Sequence, residues 1–391
     1  MLKSANTVRA GCNKPGEIRA AVWQALFLYS QKGNLLMKIR SEFKEVHPEM
    51  AEALMKDEYA FLGTNKHLGN NVIYLCLGGS HAYGTNTESS DVDIRGVAVN
   101  TERELLGLSD FETYVETNTD TTVYSASKYI KLLMICNPNI IEMLCVDDSD
   151  IIYINPLGKM ILDNKELFLS KKAYWSFAGY AGAQLKRLQN ATARDTLPEE
   201  LREKHIMHSI ERQISHIYQK FEGSIGNVTL HIGDAIDPNH TKEILMNGSF
   251  KDYPLRAFNQ LYNSMNQVCK DYDHLDNRNR KKDSSHLNKH AMHLIRLYMM
   301  CEEILSGKEV HTRRSGAELE LLIRIRNGEF MKDDLFIPEF YELVDEYSAK
   351  LEEVRDNSSL PDQPDKNKIE DFLIKINHKA LLEGVPEPRF L

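Results

Sequence analysis

The sequence lacks any apolar run of the roughly 20 residues that a membrane-spanning helix needs. Its six cysteines show neither the paired spacing of a zinc site nor a disulfide framework, which indicates reduced thiols. Basic residues are not in excess, since 48 Lys and Arg stand against 57 Asp and Glu, a net charge of −9. That balance argues against a broadly basic surface for nucleic acid, although it leaves room for a local one. The polar N-terminal residues do not resemble a signal peptide, so we expect a cytoplasmic protein.

The chain does contain a short apolar run, residues 72–77, that leads directly into Gly78, Gly79 and Ser80. This pattern predicts a buried strand that feeds a tight turn. Two glycines allow the backbone to approach a ligand closely because no Cβ is in the way. Ser80 adds a hydroxyl, and the amides that follow it can bind an anion if a helical turn begins there.

Two aspartates, Asp91 and Asp93, follow the turn after a polar loop and open a second predicted strand. Side chains two apart on a strand share a face, so both carboxylates should point the same way. Neighbouring carboxylates repel each other unless a cation lies between them, and Mg²⁺ prefers such oxygen ligands. Taken alone, Asp-x-Asp is more often a solvated strand face, and Gly-Gly-Ser is more often a loop. Their combination, each beside a strand, indicates a site for a nucleoside triphosphate and its metal ions.

The pattern of an apolar residue, Gly-Gly-Ser, a spacer and then Asp-apolar-Asp-apolar resembles the nucleotidyltransferases of the DNA polymerase beta superfamily. The longer string, Gly-Ser-x-Ala-Tyr-Gly at residues 79–84 followed by Ser-Asp-x-Asp-x-Arg-Gly at 90–96, is similar to one branch of it, the predicted nucleotidyltransferases associated with RNA repair, called RlaP-like. Other segments similar to that branch are residues 120–133, 137–144, 289–297 and 360–365. The resemblance therefore extends over about residues 70–385.

The resemblance implies a metal site built from three carboxylates. Asp91 and Asp93 would be joined by an acid from a neighbouring strand, and Asp120 stands where the branch carries it, with Glu116 as the alternative. These acids would bind Mg²⁺ or Mn²⁺, and Asp120 would also accept the proton of the attacking hydroxyl. Arg95 either contacts a phosphate or pairs with Asp93. The residues expected to bind the nucleotide are Gly79, Ser80, Tyr83, Arg95, Lys289, His293 and Arg296.

A helix predicted over residues 286–306 carries three of these cations, Lys289, His293 and Arg296, at positions i, i+4 and i+7. A basic helix face beside an acidic metal site would suit a triphosphate or an RNA end. Cations on a helix are more often simply solvated, and this alternative stays open. Few aromatic residues lie among the cations of residues 276–296, so stacking of single-stranded bases has little support there.

The sequence patterns and the resemblance together predict an α+β protein. Its polymerase-beta-like nucleotidyltransferase core, a mixed sheet with helices on one side, would be followed by a mostly α-helical domain. We predict an N-terminal helical extension over residues 1–69, the catalytic domain over 70–170, and a helical substrate-binding domain over 171–391. Within these, we expect one helix over residues 38–61 and a loop insertion over 229–250.

The expected activity is Mg²⁺-dependent transfer of a nucleoside monophosphate from an NTP, expected to be ATP, to an acceptor hydroxyl, with release of pyrophosphate. RNA is the expected acceptor, in RNA repair or end modification, and a protein or a small molecule is the alternative. A second alternative is a non-catalytic protein that binds a nucleotide or RNA in the same pocket. The resemblance suggests the cytoplasm of a bacterium or of a phage-infected cell as its location.

Overall fold

The computed structural model describes residues 39–196, 224–236, 242–276, 284–333 and 335–385. The Gly-Ser turn and the aspartates adjoin the strands of a five-stranded mixed sheet. Its strands are β1 Val72–Leu77, β2 Ile94–Ala98, β3 Thr113–Glu116, β4 Thr121–Ser125 and β5 Ile151–Ile154. They lie in the order β3-β4-β2-β1-β5. β2 and β4 are parallel, and the other neighbouring pairs are antiparallel. This arrangement confirms the predicted mixed sheet.

The apolar run at residues 72–77 forms β1, between β2 and β5, and all six of its residues are buried. A strand covered on both faces needs an unbroken apolar run rather than an alternating one. The buried strand therefore fixes the start of the Gly-Ser turn, which we define as residues 78–84.

The remaining elements are mostly helical. Among the described residues the α-helices are α1 Ser41–Val46, α2 Pro48–Ala53, α3 Phe61–Thr64, α4 Gly79–Tyr83, α5 Glu102–Leu106, α6 Ala126–Leu133, α7 Pro138–Leu144, α8 Pro156–Leu162, α9 Lys172–Thr196, α10 Phe258–Asp276, α11 Ser284–Leu305, α12 Gly316–Arg326, α13 Pro338–Asn357 and α14 Lys366–Leu382. Short 3₁₀ turns are Asp57–Tyr59, Gly69–Asn71, Asp148–Asp150, Lys165–Leu167 and Leu255–Ala257. The predicted α+β class with a mostly helical C-terminal part is confirmed. None of these helices combines the length and apolar character that crossing a bilayer requires.

The single helix predicted over residues 38–61 is wrong. The chain there forms the short helices α1 and α2, then a 3₁₀ turn and α3. Pro48 begins α2, where its missing N–H costs nothing, but it cannot continue the helix before it. Residues 1–38 of the predicted N-terminal extension lie outside the described residues.

The loop insertion predicted over residues 229–250 is also wrong, because this segment belongs to a β-hairpin. Strands β6 Ile225–Asp234 and β7 Lys242–Phe250 pair antiparallel, with Leu230 opposite Met246 and Ile232 opposite Ile244. Gly, Asp, Asn and His between these apolar residues suggested a loop. Side chains of the hairpin pack against a small cluster that includes Leu261, and this packing outweighs the polar composition.

The chain divides into two compact units, as far as each is described. The first comprises the residues up to 182, residues 293–324 and those from 342 onward, and it contains the five-stranded sheet. The second comprises residues 183–292 and 325–341, and it contains the hairpin of β6 and β7. α11 belongs to both units and ends, as predicted, before Gly307 with its φ of +66°. The three-part division predicted from the sequence stays a prediction.

Gly158, in the first turn of α8, offers a test of how closely that helix packs on the sheet. A Cβ added there would lie 2.2 Å from the backbone oxygen of Ile73 in β1. We expect Gly158→Ala to lower the free energy of unfolding by about 1–3 kcal/mol, because the helix must move off the buried strand. Urea denaturation followed by circular dichroism measures the change.

The matched control for this substitution is Gly179→Ala in α9, where an added Cβ meets nothing within 4 Å. Alanine there should raise the free energy of unfolding by about 0.5–1 kcal/mol through helix propensity. Equal effects of the two substitutions would show that the contact of α8 with Ile73 does not limit stability.

Candidate active site

The Gly-Ser turn follows β1 and contains the short helix α4, which ends at Gly84 with a left-handed φ of +74°. Gly79 also has a positive φ, +56°, and a Cβ at this position would lie 1.9 Å from the Oδ2 atom of Asp93. Only glycine fits here on both grounds. The turn predicted to bind phosphate and the second aspartate of the Asp-x-Asp pair are therefore in direct contact.

The two aspartates precede β2 rather than forming part of it. The strand was expected to open at Asp91, but it begins at Ile94. The backbone oxygen of Asp93 accepts a hydrogen bond from the Gly78 amide at 2.8 Å, which joins the start of β2 to the turn. Asp91 is exposed.

Asp120 occupies the position before β4 that Asp93 occupies before β2. The two strands are parallel, with Ile94 beside Thr121, and the Ile94 amide donates to the Asp120 carbonyl at 3.2 Å. Asp120 has a positive φ of +42°, an uncommon conformation for a residue other than glycine. The two acids therefore lie at equivalent ends of neighbouring parallel strands, although 26 residues lie between Asp93 and Asp120 along the chain.

The guanidinium of Arg95 lies between these two carboxylates. Its Nη2 atom is 2.6 Å from Asp93 Oδ1, and its Nη1 atom is 3.4 Å from Asp120 Oδ1. Nη1 also donates to the Asp120 carbonyl at 2.7 Å. Of the two sequence-based interpretations of Arg95, the pairing with Asp93 is present, and it extends to Asp120. One positive group can thus reach both acids at once.

Glu116, the alternative third acid, ends the edge strand β3 and pairs with Thr121. Its carboxylate accepts hydrogen bonds from the Tyr114 hydroxyl and the Asn118 amide, both at 3.3 Å. Within the described ranges, no three His, Cys, Asp or Glu side chains are close enough together to hold a metal ion. The arrangement that the structure does provide is the pair of carboxylates on either side of Arg95.

Ser80 and Tyr83, two predicted nucleotide-binding residues, are buried in α4. The Tyr83 hydroxyl donates to Glu142 Oε2 at 2.5 Å. Burial raises the pKa of Tyr83 well above its ordinary value, despite the opposing charge of Arg296, so the hydroxyl keeps its proton and donates it. Tyr83 therefore acts inside the protein, as a link between the turn and α7.

Arg296 does not belong to an exposed basic face, because it is only 3% exposed. Its guanidinium lies 3.6 Å from the centre of the Tyr83 ring and forms an ion pair with Glu142 at 2.7 Å. Burial alone would lower the pKa of Arg296, but Glu142 outweighs it and the pKa is raised. His293 is half-buried, with its ring edge-on to Tyr83 at 5.7 Å. Lys289 is exposed and lies in the second unit.

Arg313 and Arg314 also contact the turn, a role that their sequence did not indicate. Arg313 binds both carboxylate oxygens of the fully buried Asp150, at 2.6 and 2.8 Å, and donates to the His81 carbonyl at 3.3 Å. The Arg314 amide donates to the Tyr83 carbonyl at 3.1 Å. The Arg-Arg pair was visible in the sequence, but the groups that it contacts here, on Asp150, His81 and Tyr83, lie more than 150 residues away along the chain.

A cavity of about 640 Å³ lies elsewhere in the first unit, and the aspartates around Arg95 do not line it. Its walls come from β5, the segment before it, α8 and residues 309–313. Both acidic and basic side chains line it, including Arg40, Asp147, Lys159 and Glu309. Its size alone does not make it the active site. The Gly-Ser turn and the two acids instead place the candidate site at the N-terminal ends of β2 and β4.

A mixed sheet that places a Gly-Ser turn against an acid, with a second acid at the start of the neighbouring parallel strand, agrees with the predicted core of the DNA polymerase beta type. Within that class, the family model described as RlaP, RNA repair pathway DNA polymerase beta family, matches residues 46–217. This match confirms the predicted resemblance over the core, whereas residues 218–385 lie beyond it. Searches of curated proteins and of solved structures found no match.

Proposed function

We propose that the protein is a divalent-cation-dependent nucleotidyltransferase that moves a nucleoside monophosphate from an NTP to an acceptor hydroxyl and releases pyrophosphate. The observation that carries this proposal is the pair of carboxylates, Asp93 and Asp120, that the guanidinium of Arg95 contacts together, with Asp93 directly against Gly79. The family match favours RNA as the acceptor. ATP is the donor that we would test first.

The acidic residues suit Mg²⁺ or Mn²⁺ in chemistry, because both metals prefer carboxylate oxygen. Asp93 and Asp120 would be the principal ligands, and Asp91, which is exposed and does not form a three-acid group with them among the described residues, would join them when the metal binds. Because one guanidinium contacts both carboxylates, the same position suits a metal ion bound by both. A bound metal would neutralise phosphate charge and lower the pKa of the acceptor hydroxyl.

The protein's own groups supply binding, orientation and proton transfer. The amides of the Gly-Ser turn and the Ser80 hydroxyl would bind the triphosphate, as short helical turns bind anions. Asp120, whose side chain is 58% exposed, would accept the proton of the attacking hydroxyl. The Arg95 guanidinium would exchange its ion pairs with the carboxylates for an ion pair with a phosphate oxygen. Positioning and charge neutralisation would supply most of the rate enhancement.

The test is pyrophosphate release from each of the four NTPs with Mg²⁺, with and without total RNA, together with transfer of label from α-labelled NTP. We expect release and labelled RNA, both absent for Asp91→Asn, which removes one carboxylate of the set. Labelled protein without labelled RNA would favour the alternative acceptor. No release and no label under any condition would contradict the enzymatic function and favour a nucleotide-binding protein.

Arg95 provides a prediction about the metal itself. We expect Arg95→Gln to bind Mn²⁺ about 5- to 10-fold more tightly in the absence of nucleotide, because a competing positive charge beside Asp93 and Asp120 is removed. Calorimetry or the Mn²⁺ electron paramagnetic resonance signal measures the dissociation constant. The control, Arg103→Gln on α5, removes the same charge from an exposed site. Unchanged or weaker Mn²⁺ binding in Arg95→Gln would argue that the metal does not occupy the place of the guanidinium.

A further inference from the structure

The short helix α4 is too short to be stable by itself, because a five-residue helix closes very few internal hydrogen bonds. Side chains and backbone from distant parts of the first unit hold it. The His81 carbonyl accepts from Arg313, and the Tyr83 carbonyl accepts from the Arg314 amide. Since carbonyl groups at the end of a helix need partners, these two contacts complete the helix at its C-terminal end.

A second set of contacts acts through the Tyr83 side chain. Its hydroxyl donates to Glu142, its ring carries the Arg296 guanidinium at 3.6 Å, and Glu142 and Arg296 form an ion pair at 2.7 Å. Both charged residues are less than 10% exposed. The Arg296 Nε atom has no hydrogen-bond partner within the described residues. The three side chains thus form one buried unit, which we call the Tyr83 triad.

Stability alone is a poor explanation for the triad. A buried ion pair often contributes no more to stability than apolar residues of the same volume, because both charges lose their water. What such a unit does provide is a fixed geometry, since each member is directed by its hydrogen bonds. The geometry fixed here is that of α4, which carries Ser80 three residues before Tyr83 and follows Gly79 against Asp93.

We propose that Tyr83 is a positioning residue that fixes the Gly-Ser turn through Glu142 and Arg296, and that it does not touch the nucleotide. Arg296 lies beyond the segment that matches the family model, residues 46–217. A residue on α11, beyond the family match, therefore helps to hold the Gly-Ser turn in place. This inference rests on the proposed function, in which the Gly-Ser turn binds the triphosphate.

Tyr83→Phe tests the proposal because it removes only the hydroxyl that joins the turn to Glu142. Its control is Tyr129→Phe on α6. Tyr129 is fully buried in the same unit, but its hydroxyl has no hydrogen-bond partner among the described residues. Both proteins are compared with the original chain by hydrogen–deuterium exchange of residues 78–85, by KM for the NTP, and by kcat.

We expect Tyr83→Phe to raise amide exchange in the Gly-Ser turn and to raise KM for the NTP about 10-fold, as for a lost hydrogen bond to a charged group. The Tyr129→Phe protein should resemble the original chain in both measurements. If Tyr83→Phe does not fold, Arg296→Lys replaces it, because lysine keeps the charge beside Glu142 but not the planar group over the ring.

Unchanged exchange in the turn together with unchanged KM would overturn the proposal. So would a loss shared equally by the Tyr83→Phe and Tyr129→Phe proteins, because that result would indicate a general effect of the core. If the original chain shows no nucleotidyl transfer, the proposed function fails separately. Exchange in the turn still distinguishes the two substitutions in that case, since it needs no substrate.

Discussion

The Asp93→Asn protein is expected to lose at least about 100-fold of its nucleotidyl-transfer rate while it stays folded. The metal supplies several kcal/mol of charge stabilisation in such reactions, and each 1.4 kcal/mol corresponds to tenfold in rate. Asparagine has the size of aspartate, so the close contact with Gly79 is kept. Arg95 also keeps its bonds to Asp120. Single-turnover transfer from α-labelled NTP measures the rate.

The control for Asp93→Asn is Asp163→Asn, which removes an identical charge from an exposed ion pair with Lys159. That protein should keep its activity within about twofold, because exposed ion pairs contribute little. Full activity of Asp93→Asn at saturating Mg²⁺ would exclude Asp93 as a metal ligand. A loss of activity together with a loss of the folded circular dichroism spectrum would instead assign Asp93 to the fold, against our expectation.

The second large effect is expected at Asp120. We expect Asp120→Asn to lower kcat by about 100- to 10,000-fold, the range in which a general base contributes. Glu116→Gln should leave kcat nearly unchanged, because Glu116 already accepts hydrogen bonds from Tyr114 and Asn118 at the edge strand. The pair of substitutions decides between the two acids that the sequence left open.

Two outcomes of this second experiment would contradict the assignment of proton transfer to Asp120. The reverse pattern, with Glu116→Gln inactive and Asp120→Asn active, would assign the third acid to β3. Equal losses in both proteins would show that the two acids act as one unit and would contradict the assignment of proton transfer to Asp120 alone.

Local sequence accounts for the elements that present the turn and the first two acids. The apolar run of residues 72–77 predicted the buried strand that the structure shows, and Gly79 needs its positive φ and its missing Cβ next to Asp93. The predictions of a helix over residues 38–61 and of a loop over residues 229–250 were wrong, each for its own reason. Pro48 interrupts the first, and tertiary packing of Leu230 and Ile232 overrides the polar composition of the second.

The pattern of a single helix did not predict the role of Arg296. Helical spacing places it on a face with Lys289 and His293, and a basic face suggested contact with a phosphate. Helical spacing does not say which face packs inward. Arg296 is buried against Tyr83 and Glu142, whereas Lys289 is exposed. A buried cation needs a carboxylate as its partner, and that partner lies on another helix, α7.

The sequence by itself determined the Gly-Ser turn, the order of strand, turn and acids, and the family resemblance of the core, because each depends on residues close together in the chain. Only the tertiary structure decided that Asp120 stands beside Asp93, since this requires the parallel pairing of β2 with β4. It also decided that Arg95 lies between the two acids, and that residues near 296 and 313 hold the turn. Such contacts join residues that are far apart along the chain, and no local pattern specifies them.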